Sequence, residues 1–275
     1  MFANICGFVF KFNVINKDYF NKVFEKYLTN STEYDYLINV FENEKFENPV
    51  NITYSTTHST YLETLDELIQ YQREDETKEY FAKVVYKNNT ANIYFKNEVT
   101  FMKEYLLLQY VFSYFMTNDK DQIFIHGSSI LYKDSAILFS APSGTGKSTH
   151  ARLWVNHAGA ININDDKNII RKVDDKLMVI GNPFSGKHHL DNNVEAPLKA
   201  IVFLYQSKEN VLKRLKPIEA FNFILKQIKM PANKKEAKTW NEITTLMLNI
   251  PIYYYGCNME IDALNVIKDS LEEIL

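Results

Sequence analysis

Ser135-Ala136-Ile137-Leu138-Phe139-Ser140-Ala141-Pro142-Ser143-Gly144-Thr145-Gly146-Lys147-Ser148-Thr149 is the stretch on which the reading of this chain turns. Its first six residues form a short, mostly apolar run, which by length and content reads as a buried strand. Proline and two glycines then break the run, and a helix is expected from Lys147 to about His157. Ala141-x-x-x-x-Gly146-Lys147-Ser148 matches the phosphate-binding loop pattern with alanine at the position where the strict form has glycine. A small residue there serves the tight exit from the strand.

The chemistry follows from the residue types. Gly144 and Gly146 can take positive φ angles, which turn successive backbone N–H groups toward one point. The helix that follows adds its unpaired N-terminal donors and its dipole at the same point. Ser143, Gly144, Thr145, Gly146, Lys147, Ser148 and Thr149 are therefore the expected nucleotide-binding residues. Lys147 would reach the β- and γ-phosphates, and Ser148 would ligate the bridging magnesium.

Working downstream, Ala160–Ile163 reads as a strand and delivers Asp165-Asp166 just beyond its end. A site of this kind needs a carboxylate on a neighbouring strand to hold magnesium. Two adjacent carboxylates can divide the work, one facing the metal and one accepting a proton. Taken alone, such a pair is more often a solvated turn or a helix cap. Upstream, His126 ends the expected strand Gln122 to His126, and a lone histidine is more often structural. Asn182-Pro183-Phe184-Ser185-Gly186-Lys187 is a second small-residue loop ending in a cation, which would bring Lys187 to phosphoryl oxygens. His188 and His189 lack a third metal ligand at a recognisable spacing and read as structural or solvent-facing.

Further strands are expected at Ser128–Tyr132, Asn168–Val173, Lys176–Ile180, Ala200–Tyr205 and Ile252–Tyr255. Helices are expected near Pro217–Ile228, Lys234–Leu248 and Glu260–Leu275. In the first third, Ala82–Tyr86 and Ala91–Phe95 read as strands joined by a turn at Lys87–Thr90. Met1 to Phe10 reads as a strand, and a helix is expected from about Glu98 to Met116. Residues 1–97 thus form an N-terminal α+β subdomain without a recognisable chemical constellation, and residues 98–275 form the loop-bearing domain.

Composition sets the outer bounds. The 275 residues are 46% hydrophobic and 24% charged with a net charge of -3, which is ordinary globular composition. Nothing in that charge advertises a nucleic-acid or anionic-membrane surface. Cys6 and Cys257 form no metal-like cluster, a disulfide framework is not expected, and a reducing cytoplasm fits. The longest apolar run, Tyr105 to Met116, is too short to span a bilayer. A soluble, cytoplasmic protein is expected.

Three elements together resemble the HPr kinase/phosphorylase superfamily, which shares its nucleotide core with ATP-dependent phosphoenolpyruvate carboxykinase. They are Ile125-His126-Gly127, Ser143-Gly144-Thr145-Gly146-Lys147-Ser148 and Asn164-Asp165-Asp166, in that order. The chain is similar, more closely, to HPr-kinase-like proteins of bacterial peptide-modification clusters. That likeness runs through Ser143–Thr149 to Leu153-Trp154, then Gly181-x-Pro183-Phe184-Ser185-Gly186-Lys187 and Ala196-Pro197-Leu198. The resemblance covers about Ile123 to Gln227. It implies an α/β fold, with a mixed β-sheet P-loop kinase core of the HPr kinase/carboxykinase type. It further implies transfer of the γ-phosphate of ATP, with Mg2+, to a serine or threonine of a peptide or small protein. By that likeness His126 is an active-site histidine. One aspartate would be the metal ligand and the other the base; Asp165 is placed with Ser148 on the metal and Asp166 as the base, the two being open to exchange.

Two other readings remain at this stage. A small-molecule or carboxykinase-like enzyme would need a metal-binding histidine–lysine set and a carboxylate-binding arginine, of which no convincing version is visible. A non-catalytic ATP-binding regulatory module would bind the nucleotide without transfer. A homo-oligomer stays possible, and nothing in the sequence identifies the acceptor.

Overall fold

The computed structural model describes residues 1–119, 121–186, 189–228, 234–272 and 274. The chain is a mixed α/β protein of two compact units, Met1–Phe112 and Ser113–Leu275.

In the first unit, eight strands form one sheet: β1 (Phe2–Ile5), β2 (Phe8–Asn13), β3 (Tyr36–Phe41), β4 (Tyr54–Ser55), β5 (Ser59–Glu63), β6 (Leu68–Arg73), β7 (Tyr80–Lys87) and β8 (Thr90–Phe95). They lie in the order β1-β2-β3-β8-β7-β6-β5-β4. The apolar N-terminus is thus a hairpin rather than one strand. Cys6 and Gly7 take φ of 58° and 80° between β1 and β2. Positive φ at both central residues makes the two-residue turn whose twist suits paired strands. The expected β7–β8 hairpin is present, with Lys87 opposite Thr90.

Helix α1 (Lys17–Val23) is short and depends on α2 (Phe101–Asp119) at its start. Buried Glu104 on α2 accepts the N–H groups of Ile15 and Asn16 at 2.7 and 3.0 Å, and the Asn16 side-chain amide at 2.7 Å. A buried carboxylate is costly unless hydrogen-bonded, and these three donors supply the bonds. Phe112 of the same helix packs 5.6 Å, centroid to centroid, from Phe10 of β2. These contacts tie the first part of α2 to the first unit, which ends at Phe112.

The second unit contains β9 (Gln122–His126), β10 (Ser128–Tyr132), β11 (Ser135–Ser140), α3 (Lys147–Ala158), β12 (Ile161–Asn164), β13 (Lys167–Val173), β14 (Lys176–Ile180), β15 (Glu195–Gln206), β16 (Val211–Arg214), α4 (Pro217–Leu225), α5 (Lys234–Met247), β17 (Ile252–Cys257) and α6 (Ile261–Leu271). Its nine-stranded sheet runs β12-β10-β11-β15-β14-β13-β9, with β17 beside β15 and β16 beside β17. Strand β15 joins the halves: Glu195–Pro197 pair antiparallel with β14, and the stretch from Leu198 onward pairs parallel with β11 and β17. It starts at Glu195, earlier than the expected Ala200. Pro197 lies within this first part, opposite Met178, and a proline is tolerated in a strand where its missing N–H is not needed by the ladder. Strand β16, absent from the sequence reading, is short and mostly exposed.

Both faces of the β11–β15 pair are covered, which is why these strands read as continuous apolar runs. Leu138, Ile201 and Phe203 face a core with Ala220 and Ile224 of α4, Trp240 and Ile243 of α5, and Ile123, Ile125, Ile170 and Val179. Ile137, Phe139, Val202 and Leu204 face the opposite core, with Ala151 and Trp154 of α3 and Ala263, Leu264 and Ile267 of α6. Among the described residues, no helix is long and apolar enough to cross a membrane.

Candidate active site at the glycine-rich loop

Strand β11 is fully buried and ends at Ser140, whose Oγ donates to the His126 carbonyl at 2.7 Å. The loop then turns through Gly144 at φ 79° and Gly146 at φ 109°. Gly146 is the N-cap of α3 and supplies no side chain to cap it. The first-turn N–H groups of α3 therefore have no capping side chain, an arrangement that suits an anion. The expected strand–loop–helix unit is present.

Lys147 is 7% exposed, and its ammonium donates to the carbonyls of Ala141 and Pro142 at 3.0 and 3.3 Å. Thr145 Oγ1 also donates to the Pro142 carbonyl, at 2.8 Å. Burial lowers the Lys147 pKa below the usual lysine value, while the charge of Asp166 opposes that shift. The loop is held in shape by its own lysine.

The facing corner is built by asparagines. β12 pairs with β10 and β13 with β9, so residues 165 and 166 cross from one half of the sheet to the other beside Gly127, whose N–H donates to the Asp166 carbonyl at 3.0 Å. Asn164 Oδ1 accepts the N–H groups of Asp166 and Lys167, each at 2.9 Å, and its amide donates to the Asn182 carbonyl at 2.9 Å. Asn168 donates to the Gly127 carbonyl at 2.8 Å and accepts the Ser129 hydroxyl. Gly127 has no room for a side chain, since a Cβ there would sit 2.8 Å from both Leu138 Cδ1 and the Phe139 carbonyl.

This frame separates the two aspartates. Asp166 Oδ1 lies 3.0 Å from His126 Nδ1. Burial alone would raise the Asp166 pKa, but the His126 hydrogen bond and the charges of His126, Lys167 and Lys147 hold it below the usual carboxylate value. Asp165 is 6% exposed and turns the other way, its Oδ1 accepting the Gly186 N–H at 2.6 Å. A Cβ at Gly186 would stand 3.1 to 3.3 Å from that carboxylate, so the second loop approaches closely because it has glycine there.

The second loop is pinned by Asn182, whose amide donates to the Lys167 carbonyl at 2.8 Å and whose Oδ1 accepts the Phe184 N–H at 3.1 Å. Lys187 and His188 lie outside the described residues, and His189 is exposed. The structure therefore brings His126, Asp166 and Lys147 together and ties Asp165 to Gly186. Sequence reasoning missed Asn168 and named Asn164 and Asn182 only as motif residues without a role of their own. The signal for them is a set of asparagines, at 162, 164 and 168 on strands β12 and β13 and at 182 and 192 in the loops that follow β14.

A magnesium ion fits the donor chemistry here, since Ser148 and the aspartates offer hard oxygens. Among the described residues, no three His, Cys, Asp or Glu side chains gather into a cation site of their own. Such an ion would take much of its shell from phosphate oxygens and water, as magnesium commonly does.

No protein-family model matches the chain, and no curated protein matches it. Among solved structures, the HPr(Ser) kinase/phosphatase from Coxiella burnetii is similar over 54% of this chain and 98% of that one, with 8% identity and a TM-score of 0.33. A likeness this distant leaves the activity to be argued from the residues.

Proposed function

We propose that the chain is an ATP- and magnesium-dependent kinase that transfers the γ-phosphate to a serine or threonine hydroxyl of a peptide or small protein. The observation that carries this reading is the Asp166–His126 pair standing within electrostatic reach of Lys147 at a loop whose glycines take positive φ. The peptide acceptor rests on the motif resemblance through Gly181–Lys187 and Ala196–Leu198.

In this mechanism the N–H groups from Ser143 to Ser148 hold the triphosphate, and Lys147 exchanges the Ala141 and Pro142 carbonyls for phosphate oxygens. Ser148 would hold magnesium, joined by Asp165 once its carboxylate turns from the Gly186 N–H, and the ion would offset the charge of the β- and γ-oxygens. Asp166, oriented by His126, takes the proton of the acceptor hydroxyl. The hydroxyl oxygen bonds to the γ-phosphorus as the bond to the β–γ bridging oxygen breaks, leaving ADP. Lys187, by its place in the sequence, would offset charge on the transferring group.

The test is incubation with labelled ATP and pools of serine-containing peptides or of metabolites, with Lys147→Ala as control. A mass gain of one phosphate on peptides, lost in Lys147→Ala, supports the reading. Phosphate gained by metabolites alone, or tight ATP binding with no transfer to any pool, overturns it.

A further inference from the structure

A cavity of about 500 Å³ opens beside the glycine-rich loop, on the α4 face of the sheet. Its floor and walls are aromatic: Phe203 and Tyr205 from β15, Phe223 from α4 and Tyr254 from β17. Tyr205 and Tyr254 stack at 4.4 Å between centroids, Tyr254 and Phe223 lie 4.9 Å apart, and Phe223 and Phe203 lie 5.1 Å apart. Sequence explains how the Tyr205 ring finds its place. It lies over Gly256, its partner on β17, and any side chain at that glycine would collide with the ring. Lys226 adds a cation at the wall, with its ammonium 5.9 Å from the Phe223 centroid.

The fourth side of the cavity is the loop itself, from Ala141 to Thr145. Gln206 links the two, its amide lying 3.5 Å from the Gly144 carbonyl. Direction then decides what the cavity can hold. A triphosphate bound by the loop has its reactive end at Lys147 and Asp166, and neither residue lines the cavity. The aspartate corner flanks β11 on its β10 side, beside Gly127, whereas the cavity lies on the β15 and β17 side and is lined by the loop tip Ser143–Thr145. A triphosphate whose γ end faces that corner directs whatever its α-phosphate carries toward the cavity.

The geometry points to this aromatic cavity as the seat of the nucleobase, the rings of Tyr254 and Phe223 supplying its contact. The inference rests on the kinase reading above, in that it takes the loop to bind a triphosphate. Its size suits the purpose, since cavities for compact organic ligands commonly run from about 300 to 1,000 Å³. Flat rings recognise any base through its π-face, and removing one such ring typically weakens base binding by roughly tenfold.

The experiment is calorimetric titration of the whole chain with MgATP and with magnesium–inorganic triphosphate, repeated on Tyr254→Ala, Phe223→Ala and Tyr254→Phe. The unaltered chain is expected to bind ATP at least tenfold more tightly than triphosphate. Tyr254→Ala and Phe223→Ala should lose roughly tenfold for ATP and nothing for triphosphate, while Tyr254→Phe keeps both affinities. Saturation-transfer NMR on the unaltered chain, with aromatic protons irradiated, should light up the H2 and H8 protons of ATP. An alanine variant that keeps its preference for ATP, or base protons that receive no saturation, overturns the inference and leaves the loop as a triphosphate site. If the unaltered chain binds neither ligand, the loop reading itself is overturned, and this inference with it.

Discussion

His126 Nδ1 stands 3.0 Å from Asp166 Oδ1 because β9 and β13 pair with His126 opposite Lys167. A shift of one residue in that register would send the imidazole to the other face of the sheet. The contact is thus fixed by backbone pairing. Asp166→Asn should keep MgATP affinity within about threefold and lose turnover by roughly 10²–10⁴, the usual worth of a positioned base. Full turnover in Asp166→Asn would refute the base assignment. His126→Gln removes a group that lowers the Asp166 pKa, so the acidic limb of the kcat–pH profile should move to higher pH.

Lys147 carries a second linkage. Burial in the free loop lowers its pKa, and bound phosphates would restore the charged form. Nucleotide binding should therefore take up protons at pH values where the free loop's lysine has begun to lose its charge, a range that starts below the usual lysine value. Titration calorimetry in two buffers of different ionisation enthalpy measures the uptake. Lys147→Met should abolish it, along with most of the affinity.

His150, one turn into α3, is fully buried between Phe139 and Tyr255, with ring centroids at 4.8 and 5.8 Å. Neither of its nitrogens has a hydrogen-bond partner among the described residues, and burial pushes its pKa down to about 4. Unfolded, the same side chain takes a proton near pH 6.5. Stability should fall as pH drops from about 6.5 to about 4, by about 3 kcal/mol in all. His150→Phe should flatten that part of the curve, followed by urea midpoints from pH 7 to 4.

Gly181 approaches the backbone of Asn192 so closely that a Cβ would overlap its carbonyl oxygen. The Gly181 N–H also bonds the Val194 carbonyl at 2.9 Å, which resists retreat. Gly181→Ala should cost about 3 kcal/mol, near the upper end for overpacking. In a unit of this size the thermal midpoint should fall by roughly 10 °C. An unchanged midpoint would show that the crossing relaxes freely.

Asn164→Ala removes the acceptor for two backbone N–H groups and the donor to Asn182, so the corner loses its frame while both aspartates remain. A loss of about 1–3 kcal/mol is expected from the unpaired groups. Turnover should fall far more than ATP affinity. Asn164→Asp keeps the acceptor and should recover part of both, as read by chemical denaturation and single-turnover assays.

The core of this fold was legible because its strands are short apolar runs cut by glycine, proline and asparagine. The runs at 135–140 and 176–180 fall where β11 and β14 lie. The N-terminal hairpin was hidden because a two-residue turn at Cys6-Gly7 hardly interrupts an apolar sequence. The first part of β15, with Glu195, Pro197 and Lys199 among its residues, lacks the continuous apolar run that marks Ala200–Tyr205. At the site, the loop and the aspartates announce themselves through local spacing. Asn168 and Asn182 do not, because their partners are backbone atoms brought close only by sheet pairing. The ring cluster of Phe203, Tyr205, Phe223 and Tyr254 draws on three separate elements, and no spacing along the chain foretells it.

Strand β15 passes without a break from the antiparallel half of the sheet into the parallel half. The glycine-rich loop hangs from β11 on one side of that passage, and the aspartate corner spans it, from β12 on the same side to β13 on the other. One unbroken length of backbone therefore acts as a ruler between the glycine-rich loop and the far end of the aspartate corner. A hinge between these halves would have to tear β15 from its neighbours. Admission and release of a ligand fall to the loops and their side chains, over a floor that keeps its spacing throughout.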